Sequence, residues 1–192
     1  MRPRLPTPAL RLAPLWGIAI GAVAGGVYWL AAGIWPTSIA VVLAMLATVR
    51  LGAAEGSPPP QAVSVDFVFA LLVKYNALMA LTAASLPFAA PGNLALGLIM
   101  IAGLAGSRAL LVSASPASHA DLAIALASGF APAALIGLPG LVGLVAAIGA
   151  RIAYIGYVRR VGAHVGSAER SALQQLTEVC FYLGALAAWA YA

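Results

Sequence analysis

An all-α, polytopic transmembrane helix bundle of about seven spans is the fold class that three observations on this chain predict. Residues 12–49 carry no charged side chain, and residues 75–107 and 122–150 behave the same way. A bilayer core takes roughly 20 apolar helical residues to cross, so the first run alone holds two crossings, broken near Trp35-Pro36. The 192 residues are 63 % hydrophobic and 8 % charged, which leaves no length for a soluble domain. The runs are unbroken and rich in Leu, Ala and Gly, where a β-barrel would need alternating segments of ~10 residues. The chain is read as one transmembrane helical domain over residues 1–192.

Helices are expected at about 12–34, 37–54, 66–87, 93–113, 121–138, 141–160 and 171–191, each end placed to ~3 residues. The first follows Arg11. Its basic start resembles a signal peptide, but the apolar stretch is too long and further spans follow at once, so it is read as uncleaved. Gly17, Gly21 and Gly25 recur four residues apart on one face, as close helix contacts require. The second runs to Arg50 and stops before the loop Gly56 to Gln61, stiffened by three consecutive prolines. The third carries Lys74 and ends at Pro87. The fourth ends just after Ser107-Arg108. The fifth is opened by Ser118, an N-cap residue, with His119 and Asp121 solvated beside it, and Pro132 predicts a kink. The sixth follows a turn at Leu138-Pro139-Gly140 and closes on Arg159-Arg160. These two are short, and a re-entrant pair is the alternative to two crossings. The seventh holds Gln174, Gln175, Glu178 and the lone Cys180, read as a small buried side chain with no disulfide to form.

Ten Lys plus Arg against five Asp plus Glu give a net charge of +5. In a soluble chain this would suggest nucleic acid; here it reads as topology. Arg2, Arg4, Arg11, Arg50, Arg108, Arg159, Arg160 and Arg170 fall at alternate helix ends, while the turns near Trp35, Pro87 and Pro139 are uncharged. The positive-inside bias then places the N-terminus and the arginine-bearing ends in the cytoplasm. Lipid headgroups would satisfy these arginines; a mouth for a phosphate-bearing substrate is the sharper reading, because guanidinium binds phosphate bidentately.

Lys74 lies about eight residues, roughly 12 Å, into the third helix from its cytoplasmic start. A charge that deep must snorkel, pair or face a polar cavity. Glu178 lies about a third of the way into the last helix, sharing a face with Gln174. It is a functional carboxylate or the ion-pair partner of Lys74 or Arg108. No P-loop, dinucleotide fingerprint, H-E-x-x-H or G-x-S-x-G is present, and no two acids stand three or four apart.

Several strings, in order along most of the chain, resemble cobalamin synthase, the membrane adenosylcobinamide-GDP ribazoletransferase family. Arg4-Leu5-Pro6-Thr7-Pro8 is similar to the family's opening T-R-L-P-x-P, and Lys74 falls where the family carries a Lys. Ser107-Arg108 resembles a central Ser-Arg, and Arg159-Arg160-Val161-Gly162 the basic approach to the last helix. Gln174-Gln175-Leu176-Thr177-Glu178 is similar to the final Q-Q-L-[ST]-E. The hallmark H-L-D-G-L-A-D-x-x-D-G and the D-S-R stretch are missing, with Glu55-Gly56 standing near the first Asp-Gly. The late G-G-x-T-G-D is reduced to residues 162–168, with Glu169 beside the expected Asp.

The resemblance implies transfer of α-ribazole, or its 5′-phosphate, onto adenosylcobinamide-GDP with release of GMP and with Mg²⁺ as cofactor. It implies Glu55 and Glu169 near the metal, Arg50, Arg108, Arg159 and Arg160 on substrate phosphates, and Lys74 and Glu178 as the catalytic residues. A corrinoid nucleotide, α-ribazole and the lipid bilayer are the implied partners, with a homo-oligomer or another membrane protein of cobalamin synthesis as possible assemblies. Grouped carboxylates hold divalent metal in phosphoryl transfer, so the missing acids also allow an inert paralogue that binds corrinoid. A small transporter lined by Lys74 and Glu178 is the third class.

Overall fold

The computed structural model describes residues 7–54, 65–82, 92–113, 118–161 and 166–190, and these are all helical apart from short turns. Seven helices follow in order: α1 (Thr7–Ala32), α2 (Thr37–Ala54), α3 (Val65–Thr82), α4 (Gly92–Val112), α5 (His119–Ile136), α6 (Leu138–Arg160) and α7 (Ser167–Ala190). Among the described residues four of them, α1, α4, α5 and α6, are long and apolar enough to cross a membrane. Shorter apolar helices lie at Thr37–Gly52 and Phe67–Thr82. This is the composition of a membrane protein. The proline loop at 56–61, the turn near Pro87 and the opening residues 1–6 lie outside what is described.

The helix ends depart from expectation where polar residues extend a helix beyond its apolar run. α1 begins at Thr7 rather than near residue 12, and α7 at Ser167 rather than near 171. At α7 the Glu169 carboxylate accepts the Gly166 backbone N–H at 2.8 Å, satisfying the helix start from within the first turn. The expected turn at Leu138-Pro139-Gly140 is instead the opening of α6. Proline costs nothing in a first turn, and the reversal is made by Gly137 alone, at φ 83°. α5 runs unbroken through Pro132.

α4 is the centre of the bundle, touching α1, α3, α5, α6 and α7. Its span is 78 % buried, against 39 % for α1, 28 % for α5 and 22 % for α6, whose outer faces carry exposed residues such as Leu135 and Val145. The glycine face of α1 seats on α4: a Cβ on Gly17, Gly21 or Gly25 would lie 2.7, 2.6 and 2.9 Å from the backbone of Leu104, Ile101 and Gly97. Rising numbers on one helix meet falling numbers on the other, so the pair is antiparallel and held at backbone contact. α6 and α7 approach in the same way, with Gly143 and Gly184 facing each other.

Candidate functional site

The buried polar side chains among the described residues are few: Thr48, Lys74, Ser107, Arg108, Asp121, Thr177 and Glu178. Asp121 belongs to the start of α5, where the expected cap forms: Ser118 Oγ accepts the Asp121 N–H at 3.2 Å and donates to its carboxylate at 2.7 Å. His119 is exposed, but Asp121 is buried rather than solvated.

The other charges meet between α2, α3, α4 and α7. Lys74 Nζ donates to Glu178 Oε1 at 2.6 Å, with side chains 2 % and 1 % exposed. The ammonium does not snorkel; it pairs. Nζ also lies 3.5 Å from Thr48 Oγ1 and 5.8 Å from the centre of the Tyr182 ring. The Tyr182 hydroxyl donates to the same Glu178 oxygen at 2.9 Å. One carboxylate oxygen is thus held by a cation from α3 and a phenol one turn further along its own helix, an arrangement that fixes the rotamer of both partners. The fit of the ring needs Gly103 on α4, where a Cβ would lie 2.7 Å from it.

Arg108 is buried to 4 % exposure, and its guanidinium reaches α2, with Nη2 4.0 Å from where a Gly52 Cβ would stand. Arg50, two residues before Gly52, is exposed. Arg151 of α6 donates from Nε to the Leu110 carbonyl at 3.2 Å and from Nη2 to the Ser113 carbonyl at 3.0 Å. It therefore caps the C-terminus of α4, where helix carbonyls lack intrahelical donors and the dipole favours a cation. These contacts bring Arg50, Arg108 and Arg151 to one end of the bundle. Arg159 and Arg160 stand exposed in the last turn of α6.

Of the two acids that the resemblance places near metal, one is described. Glu169 is engaged with the start of its own helix, and Glu55 lies outside the described residues. Among the described residues no three of His, Cys, Asp and Glu come together, so these residues offer no carboxylate set for Mg²⁺. Cys180 is free and half-buried.

Sequence reasoning joined Lys74 to Glu178 as one option, but it missed Thr48, Tyr182 and the role of Arg151. Tyr182 was findable in principle, four residues beyond Glu178 on the same helix face. Thr48 had no signal beyond being a hydroxyl in an uncharged run, and nothing local marks Arg151 as the cap of a different helix. No family model, curated protein or solved structure matches the chain.

Proposed function

We propose that this chain is a seven-span, cobalamin-synthase-like protein of the bacterial inner membrane that binds a nucleotide-bearing corrinoid at its arginine-bearing, cytoplasmic end and joins α-ribazole to it with release of GMP. One observation carries the reading. Lys74, Ser107-Arg108 and the string ending in Glu178 support the resemblance from three distant parts of the sequence, and all three belong to one layer of the bundle. Lys74 and Glu178 are in direct contact, and Tyr182, hydrogen-bonded to Glu178, packs against Gly103 of α4, five residues before Arg108.

Within this layer Lys74 and Glu178 neutralise each other, so they act as a positioning pair that locks α3 to α7. Arg108 is the inner phosphate-binding group and Arg50, Arg159 and Arg160 the outer ones, at the level where headgroups and cytoplasm meet. Mg²⁺ is the cofactor the resemblance implies, with Glu55 and Glu169 as the acids to test. Membranes containing the protein, given adenosylcobinamide-GDP, α-ribazole and Mg²⁺, form cobamide and GMP on this reading, and Arg108→Met abolishes the product. A second reading is favoured by the engagement of Glu169 with Gly166: an inert relative that binds the corrinoid nucleotide without transfer. Substrate retained on the protein with no GMP released selects it.

A further inference from the structure

On α7 two polar side chains of one turn, Thr177 and Glu178, find partners within the chain. The Thr177 hydroxyl donates to the carbonyls of Leu173 and Gln174 at 2.8 and 3.0 Å. Glu178 accepts from Lys74 and Tyr182. Two residues before Thr177, the Gln175 Oε1 atom is buried and has no hydrogen-bond donor among the described residues. An amide oxygen withdrawn from water without a donor destabilises the fold, whereas an apolar side chain of the same length does not. Helix propensity does not call for glutamine, since Leu and Met serve equally well, as Leu173 and Leu176 on either side illustrate. A buried acceptor in this state is met by water or by a group of a bound ligand.

Its place in the helix tells where that partner comes from. Gln175, Glu178 and Tyr182 share one side of α7, and Gln175 lies about 10 Å from Tyr182 toward the arginine-bearing end. A ligand entering from that end meets Gln175 before it meets the Lys74–Glu178 pair. Glu178, three residues along the helix, is already neutralised by Lys74, so a cationic donor finds no counter-charge there and the matching group is a neutral hydroxyl or N–H. We propose that Gln175 is a specificity residue whose amide oxygen accepts a hydrogen bond from a sugar hydroxyl of a riboside. The choice of a riboside rests on the function proposed above; the unmet acceptor does not.

The test uses the full chain in lipid nanodiscs, with α-ribazole and GMP as probes, each compared with its 2′-deoxy and 3′-deoxy forms. Wild type should bind one riboside about five- to tenfold more tightly than the form lacking the donor hydroxyl. Gln175→Met should erase that difference and raise the melting temperature of the empty protein by about 2–4 °C. Gln175→Ala removes the same oxygen and reads both quantities if the Met variant does not insert. An unchanged or lowered melting temperature, binding of neither riboside, or discrimination that survives both substitutions overturns the proposal. Hydroxyl discrimination that depends on Gln175 without any GMP release leaves this subsite standing while the transferase reading falls. Cobamide formation by Gln175→Met with wild-type KM does the reverse.

Discussion

Two seams hold α4 in place by opposite means. Against α1 it uses shape alone: glycines remove side chains until backbone meets backbone, and dispersion over many small contacts does the rest. In the layer it forms with α2, α3 and α7, a lysine, an arginine and a glutamate are buried and anchored by specific partners. The first seam is tolerant of chemistry and intolerant of volume. The second is the reverse, since a buried ion pair gains its stability from geometry and loses it when one partner goes.

Removing one partner should have the largest effect. Lys74→Met leaves Glu178 charged and uncompensated and should destabilise by about 3–5 kcal/mol, measured by reversible unfolding in mixed detergent. Lys74→Met combined with Glu178→Met should recover most of that loss; a double variant as unstable as the single one would show that the pair is not coupled as described. Next comes Tyr182→Phe, which deletes the hydroxyl on Glu178 and should cost about 1.5–3 kcal/mol, with no such loss in the Lys74→Met, Glu178→Met background, where the acceptor is gone. At the other seam Gly21→Ala should cost about 1–3 kcal/mol, because its methyl enters the backbone of Ile101. Gly26→Ala on the same helix, where a Cβ meets nothing within 4 Å, should be silent and serves as the control. Smallest is Ser118→Ala at the start of α5, about 1 kcal/mol, a change that leaves both seams intact.

The contrast also explains how much of the molecule was legible in advance. The α1 seam was visible as Gly17, Gly21 and Gly25 at a spacing of four, because a face of one helix is a local property. Their partner on α4 was not. The polar layer was half visible: Lys74 and Glu178 stood out because charges are rare in apolar runs, and a partner had to exist for each. Which partner was undetermined, since Lys74 and Arg108 were equal choices for Glu178 on sequence. In the sequence Gln175 belongs to a polar group with Gln174 and Glu178, and its unmet oxygen has meaning only once the surroundings are packed.

Local chemistry alone therefore decided that this protein is a bundle of apolar helices, where most of those helices begin and end, and which end carries the arginines. Hydrophobic length, proline and glycine punctuation and charge asymmetry act within a few residues of chain, so they can be read without a structure. The tertiary structure decided that α4 lies at the centre, that Lys74 answers Glu178 across 104 positions, and that Arg151 closes the end of a helix other than its own. Those outcomes depend on which helix faces meet, and in an apolar solvent that choice is made by close packing and by the need of each buried charge for a partner.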